Sequence, residues 1–157
     1  MERLEVQRAI AAEASAIFGV LTDPVGHVAI DSSGMLMGAS GSAVGAVDDS
    51  FVVHMDREAL GDFPLGLYDV TVRIVTFEQD SELAWTVEGK FNIGHVYGYR
   101  LEPIEGGTLV TSYYDWSGID EKWREAGIFP VISETALKAT LGILARTVAP
   151  GSPRPGA

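Results

Sequence analysis

The chain has 157 residues and a formal net charge of −11, with 46% hydrophobic and 21% charged residues, a composition typical of a single folded domain. The acidic charge repels phosphate backbones and anionic lipids, and the few lysines and arginines are scattered singly, which excludes a nucleic-acid-binding surface. Because the sequence contains no cysteine, disulfide frameworks, thiolate nucleophiles and zinc–cysteine sites are excluded as well.

The first residues lack the basic and then apolar pattern of a signal peptide, and no apolar run approaches the ~20 residues that cross a bilayer. We expect a cytoplasmic protein with no membrane span. The last stretch, 150–157, is rich in proline and glycine and is typical of a disordered tail. The sequence thus predicts one domain over 1–149.

The N-terminal part predicts a strand and two short helices. Residues 4–10 alternate between apolar and polar side chains, which favours a strand. Asp23 and Pro24 indicate the start of the second helix, since an aspartate caps exposed amides and a proline suits the first helical position. The first helix is indicated by apolar residues that repeat on one face, namely Ala14, Ile17, Phe18 and Leu21.

The middle of the chain predicts an antiparallel meander of about six strands. The first of them, within 32–45, is rich in glycine and serine, which favours bends or bulges in a curved strand. The loop 57–66 contains Pro64 and two glycines and is a candidate lid. Period-two alternation predicts the remaining strands at 51–56, 67–77, 83–87, 95–101 and 108–116.

After Gly118 the apolar period changes from two to about 3.6 residues, which indicates helices. A short helix is predicted over 120–125, and a longer one from Pro130 to Val148. A sheet and a helix that each have one apolar face must bury these faces against each other. The sequence therefore predicts an α+β helix-grip fold, in which a curved sheet of about seven strands encloses the C-terminal helix and an apolar cavity. The apolar stripe of this helix consists of Leu137, Leu141, Leu144 and Val148.

Five short segments stand out along this order of elements: 21–24 (LTDP), 29–34 (AIDSSG), 107–111 (GTLVT), 114–118 (YDWSG) and 129–132 (FPVI). With them, the chain resembles the polyketide cyclase/dehydrase and lipid-transport branch of the START/Bet v 1-like (SRPBCC) superfamily. More narrowly, it is similar to actinobacterial members with no assigned reaction. The resemblance runs from about residue 5 to residue 148 and implies a helix-grip fold around a ligand cavity. It leaves the reaction open, because a shared fold does not carry function with it.

The cavity is expected to be lined by one face of the central strands and by the helix stripe. That face is rich in tyrosine and tryptophan, which give a pocket apolar area together with hydrogen-bonding tips. Such a lining suits a flat or polycyclic ligand with a few oxygens, whereas the alternative is that these side chains merely fill the core. The predicted ligand-binding residues are Tyr68, Val70, Val72, Ile74, Trp85, His95, Tyr97, Tyr99, Leu137, Leu141 and Leu144.

Three polar residues are candidates for acid–base catalysis. His95 and Tyr97 lie two residues apart on one predicted face, and a histidine with a pKa of about 6.5 exchanges protons at neutral pH. His95 follows a glycine, so the alternative for it is a position in water at the cavity mouth. Asp115 lies among aromatic residues, where burial would raise the pKa of its carboxyl. The alternative for Asp115 is a solvated, structural role at the end of its strand.

Two further pairs have suggestive spacing. His54 and Asp56 could orient one another inside the barrel, but the alternation of their strand favours solvent. His27 and Asp31 would share a helical face near the cavity entrance, although capping of the following turn by Asp31 is favoured. The three histidines, the third being His95, lie on different elements without metal-ligand spacing. We therefore expect no metal site and no cofactor.

The sequence leaves two main functions open. The first is a binding module that encloses a small hydrophobic molecule, with loop 57–66 as its lid, and it needs only the cavity. The second is a cyclase or dehydratase acting on a polyketide-like or aromatic substrate, which also needs a positioned acid or base. A protein-interaction domain with a vestigial pocket is a third alternative. The expected partner is a small hydrophobic molecule, and the expected state is a monomer or homodimer.

Overall fold

The computed structural model describes residues 1–156. A single antiparallel sheet of seven strands has the order β1-β7-β6-β5-β4-β3-β2, and four helices accompany it. The strands are β1 (Arg3–Ile10), β2 (Leu36–Ser40), β3 (Ser50–Asp56), β4 (Leu67–Glu78), β5 (Glu82–Glu88), β6 (Val96–Ile104) and β7 (Gly107–Asp115), and the helices are α1 (Ala14–Leu21), α2 (Pro24–Ile30), α3 (Glu121–Glu125) and α4 (Glu134–Val148).

This architecture is the predicted α+β helix-grip fold. Each predicted strand is present, and the Asp23 carboxylate accepts a hydrogen bond from the Val25 amide at the start of α2, as expected. The predicted start of the long helix at Pro130 is wrong. The helix begins at Glu134, because the Ser133 side chain accepts a hydrogen bond from the Ala136 amide and so caps this end.

The predicted tail, 150–157, follows α4. Residues 150–156 are described as turns and irregular chain, whereas Ala157 lies outside the described residues. The disorder of this tail stays a prediction. Among the described residues, no helix is long and apolar enough to cross a membrane.

Two bulges curve the sheet. The register shifts between Leu36 and Gly38 in the β2–β3 pair, and again between Ile74 and Thr76 in the β4–β5 pair. A bulge bends its strand and increases the local twist. The glycine-rich β2 segment thus takes the curved form that its composition predicts.

The helices cover the inner face of the sheet unevenly. The long helix α4 packs mainly on β1, with fewer contacts to β7, while α2 packs on β2 and β3 and also touches α4. Between these two contact regions, no helix within residues 1–156 packs comparably on β4 or β5. The uncovered part of the inner face is therefore free to line a cavity.

Gly26 sets the position of α2. A Cβ atom at this residue would lie 1.9 Å from the backbone oxygen of Val20, so only glycine lets α2 pack this closely on α1. We expect Gly26→Ala to lower the free energy of unfolding by about 3 kcal/mol, because the backbone must shift to relieve the overlap. Urea denaturation followed by circular dichroism measures the change.

Gly19 provides the matched control, since it is an exposed helical glycine with open space where a Cβ atom would lie, free of other atoms within 4 Å. Gly19→Ala is expected to raise the free energy of unfolding by roughly 0.5 to 1 kcal/mol through helix propensity alone. Equal stability of the two variants would contradict the close packing of α1 and α2.

Candidate ligand-binding cavity

A cavity of about 700 Å³ lies between the inner face of the sheet and the helices. Pockets of roughly 300 to 1,000 Å³ commonly enclose small organic molecules. Its wall is mostly apolar and aromatic, and it combines strands, α2, the loop after β3 and the irregular segment before α4. The wall residues include Ile30, Leu36, Val53, Met55, Phe63, Leu65, Val87, Phe91, Ile93, Trp123, Ile128, Phe129, Val131 and Ile132.

Most of the residues predicted to line the cavity lie on its wall. The exceptions are Ile74, Leu141 and Leu144, which are at most 1% exposed and lie in the packed core instead. They belong to the part of the molecule where side chains fill the space between the sheet and the helices. The predicted residues found on the wall are Tyr68, Val70, Val72, Trp85, His95, Tyr97, Tyr99 and Leu137.

Sequence reasoning missed the wall residues that come from irregular segments, such as Phe63, Phe91 and Phe129. These segments have neither a period-two nor a 3.6-residue pattern, so no periodicity could assign them a direction. The signal that the sequence does carry is residue type: large apolar side chains such as Phe63 and Phe91 occur in segments predicted as loops, and in the structure they are 43% and 57% exposed.

A row of aromatic rings runs along the wall, and we call it the ring row: His27, Trp85, Tyr97 and His95. The centroids of His27 and Trp85 are 4.8 Å apart, those of Trp85 and Tyr97 are 6.0 Å apart and stacked, and those of Tyr97 and His95 are 5.6 Å apart. These are the usual separations of interacting rings. The ring row lines the cavity with the near-parallel rings of Trp85 and Tyr97 and has a histidine ring set edge-to-face at each end.

His95 is enclosed by aromatic rings at its end of the row. Besides Tyr97, two further rings lie beside it: the ring centroid of His95 is 6.1 Å from that of Tyr114 and 5.2 Å from that of Phe129. Its Nδ1 atom is buried and has no hydrogen-bond partner among the described residues. Burial lowers the pKa of His95 to about 4, since a charged imidazole would lose its hydration. At neutral pH the side chain is therefore an uncharged imidazole on the cavity wall.

Tyr97 stacks on Tyr114 with ring centroids 4.2 Å apart. The Tyr114 hydroxyl in turn accepts a hydrogen bond from the backbone amide of Val131 at 3.3 Å. Burial raises the pKa of Tyr97 well above its ordinary value, and the neighbouring Tyr114 adds to this effect. Tyr97 is thus a neutral phenol that can donate or accept a hydrogen bond but does not ionise in the ordinary pH range.

Asp115 does not reach the cavity. It lies at the end of β7, where its carboxylate binds Arg3 at 2.9 Å and both the backbone amide and the hydroxyl of Ser117. Partial burial disfavours its ionised form, but the hydrogen bonds from Ser117 and Arg3 outweigh this and lower the pKa of Asp115. The expectation of a raised pKa is therefore wrong, because these hydrogen bonds stabilise the ionised carboxylate.

His54 and Asp56 also lie away from the cavity. His54 bonds to the Ser40 hydroxyl and to the Asp69 carboxylate, each at 2.8 Å, on the outer side of the sheet. Asp56 accepts a hydrogen bond from the Glu58 amide and caps the short 3₁₀ turn Arg57–Leu60. The alternation of β3 predicted this outward position correctly.

His27 lies at the other end of the ring row. It is 8% exposed, and its Nε2 lies 2.8 Å from the carbonyl oxygen of Leu21. Burial lowers the pKa of His27 to about 4, although the bond to Leu21 opposes this shift. Asp31 instead accepts hydrogen bonds from the amides of Ser33 and Gly34, as the capping alternative predicts.

The loop 57–66 lies at the cavity mouth, in the position expected of a lid. Arg57 lines the cavity and forms a two-pronged ion pair with the Asp62 carboxylate, at 2.8 and 2.7 Å. This pair raises the pKa of Arg57 and holds the loop in a compact form. Phe63 and Leu65 of the same loop are exposed and form an apolar rim.

The described residues contain no group of three or more histidine, aspartate or glutamate side chains that could hold a metal ion. The wall carries phenols, hydroxyls and neutral imidazoles, together with the charged residues Asp31, Arg57 and Lys90. Such groups orient an organic ligand by single hydrogen bonds.

No family model matches the sequence, and no curated protein matches it. Solved structures do match. The chain is similar to a protein from Chromobacterium violaceum, with a TM-score of 0.67 and 12% identity over 94% of this chain and 96% of that one. It is also similar to the AHSA1-like protein from Aeromonas hydrophila, with a TM-score of 0.59 and 18% identity over 93% and 91%. A third similar structure is the Aha1 dimer from Colwellia psychrerythraea, with a TM-score of 0.62 and 16% identity over 97% of this chain and 100% of that one.

At these identities the likeness shows the fold alone. The chain has the helix-grip fold of AHSA1-like proteins, which agrees with the superfamily that its sequence resembles. The narrower resemblance to polyketide cyclases and to actinobacterial members stays a prediction.

The buried His27 makes stability depend on pH. In the unfolded chain its pKa returns to about 6.5, so between about pH 6.5 and pH 4 only the unfolded state binds this proton. We therefore expect the free energy of unfolding to fall as the pH is lowered through this window, by about 3 kcal/mol for this residue. Urea denaturation at several pH values measures the slope.

The matched variant is His27→Gln, whose amide can still donate to the Leu21 carbonyl but takes up no proton. It is expected to flatten the pH dependence relative to the parent protein. If both proteins lose stability equally between pH 6.5 and pH 4, His27 is not held neutral.

Proposed function

We propose that the protein binds a small hydrophobic or aromatic molecule in the cavity. The observation that carries the proposal is a space of about 700 Å³ with a predominantly apolar and aromatic wall. Removing the apolar surface of a ligand from water is favourable by roughly 25 cal/mol per Å², and the preformed wall reduces the entropic cost of binding. No metal or cofactor is needed for this function.

The ring row supports an aromatic ligand in particular. Trp85 and Tyr97 are stacked, and their contacts with the flanking histidines keep them in place. A flat molecule that lies along them gains the stacking preference of aromatic rings in addition to burial. The exposed rim at Phe63 and Leu65 is a suitable first contact for such a molecule.

We propose that residues 1–149 form one domain and that this domain encloses the ligand by itself. A cytoplasmic location is part of this proposal, as is a monomeric or homodimeric state. One structural neighbour is a dimer, with which either state is compatible.

Blocking the cavity tests the proposal. Val70→Trp places a large ring in the cavity, so we expect the affinity for the uncharged fluorescent probe N-phenyl-1-naphthylamine to fall at least tenfold. Thr71→Trp is the matched control: it adds the same ring to the next residue of β4, on the outer face, and should leave the affinity within about twofold. Fluorescence titration measures both.

Failure of the parent protein to bind this probe, or equal affinities of the two variants, would count against the cavity as the binding site. Native mass spectrometry of the protein purified from its own source is the complementary measurement, and a retained small molecule is the expected result.

His95 favours a second candidate function, an enzyme of the cyclase or dehydratase type. Its imidazole is neutral at physiological pH because burial lowers its pKa, and it lacks a hydrogen-bond partner at Nδ1 among the described residues. The neutral ring lies on the cavity wall, and this position is the basis for proposing that it takes a proton from a bound substrate. The neighbouring Tyr97 phenol would orient an oxygen of that substrate. Asp115 is not part of this candidate site, because it is bound to Arg3 and Ser117.

Proton transfer can be tested with 2-tetralone, an aromatic ketone whose α-hydrogens exchange with D₂O. We expect the parent protein to accelerate this exchange, and His95→Gln to reduce the acceleration at least tenfold. Asp115→Asn is the control and should leave it unchanged. The rate should stay constant at neutral pH and fall only as the pH approaches the pKa of His95, about 4. If the parent protein does not accelerate the exchange, or if His95→Gln accelerates it equally, the proposed enzyme function with His95 as the base is contradicted.

A further inference from the structure

His27 has one nitrogen whose role the structure fixes. Its Nε2 lies 2.8 Å from the Leu21 carbonyl oxygen, and a carbonyl oxygen only accepts hydrogen bonds. Nε2 must therefore carry the proton. Because burial lowers the pKa and keeps the ring neutral, Nδ1 has no proton and is a hydrogen-bond acceptor.

The orientation of this acceptor is fixed by packing. The imidazole lies edge-to-face against Phe51, with centroids 4.9 Å apart, and against Trp85 at 4.8 Å. Gly26, the preceding residue, allows α2 to approach Val20 closely and so fixes the helix that carries the ring. Rotation of the imidazole would break the bond to Leu21 and disturb both ring contacts.

Nδ1 is left without a partner from the protein. His27 hydrogen-bonds only through Nε2 in the described part of the chain, and the nearby Asp31 is occupied with the turn that follows α2. His27 is more than nine-tenths buried and forms part of the cavity wall. An acceptor in such a place loses water on ligand binding unless the ligand supplies a donor.

We infer that His27 Nδ1 accepts a hydrogen bond from a hydroxyl group of the ligand, so that the cavity selects hydroxyl-bearing aromatic molecules over those that lack the donor. This inference rests on the proposed ligand-binding function and adds the chemical class of the ligand. The ring row provides the stacking surface, and the hydroxyl fixes one end of the molecule beside Trp85.

The expected discrimination follows from the cost of an unpaired acceptor. The methyl ether of the same ring system buries Nδ1 without giving it a donor, which costs more than replacing one hydrogen bond by another. A flat hydroxylated probe should therefore bind about tenfold more tightly than its methyl ether.

The test compares 1-hydroxypyrene, 1-methoxypyrene and pyrene by fluorescence titration. The parent protein is expected to bind 1-hydroxypyrene about tenfold more tightly than 1-methoxypyrene. In His27→Phe, which keeps an aromatic ring but has no acceptor at this position, the affinities for 1-hydroxypyrene and 1-methoxypyrene should agree within about twofold. His54→Phe, on the outer side of the sheet, is the control and should retain the preference.

The pyrene measurement separates the two levels of the proposal. If pyrene itself does not bind the parent protein, the proposed ligand-binding function fails. If pyrene binds but the hydroxyl gives no advantage, or if His27→Phe retains the full preference, the inference about His27 is overturned and the cavity remains.

A second measurement needs no substitution and applies even if His27→Phe fails to fold. In protein labelled with ¹⁵N-histidine, the unprotonated Nδ1 resonance of His27 is expected to move upfield when 1-hydroxypyrene binds and to move much less with pyrene. Equal shifts with the two probes would overturn the inference.

Discussion

The uneven cover of the sheet's inner face is the constraint on which the cavity depends. A curved antiparallel sheet has one face to bury, and here α4 covers the β1 side while α2 covers β2 and β3. The stretch between them has little helical cover. At one end, residues such as Ile74 and Leu144 fill the space completely. The residues of the same face that no helix covers line the cavity.

Burial also determines the protonation state of the imidazole and phenol groups on the cavity wall. Desolvation lowers the pKa of His27 and His95 and raises that of Tyr97, so all three are uncharged at neutral pH. Of the charged residues on the wall, Arg57 is paired with Asp62, Asp31 accepts hydrogen bonds from the Ser33 and Gly34 amides, and Lys90 is the third. Along the ring row the wall therefore offers hydrogen bonds from uncharged groups, which suits a ligand with a few oxygens.

Periodicity predicted the parts of the molecule that repeat. The alternation of β4 placed Tyr68, Val70 and Val72 on the inner face, where they are found. It could not say how far the cavity extends along a strand, because the packed core and the wall share one face; Ile74 is the example. Nor could it predict the capping of α4 at Ser133, since a serine and the nearby Pro130 are both plausible helix starts.

The pairing of β1 with β7 affects how the protein folds. Arg3 and Asp115, which are 112 residues apart, join the first strand to the last, and α4 packs over β1. Contacts between such distant parts of a chain slow folding, because a long loop must close before they form. During synthesis the apolar inner face lacks its largest cover until the final helix has been made. The part of the cavity wall that α4 supplies, at Leu137 and Thr140, is therefore the last to be made.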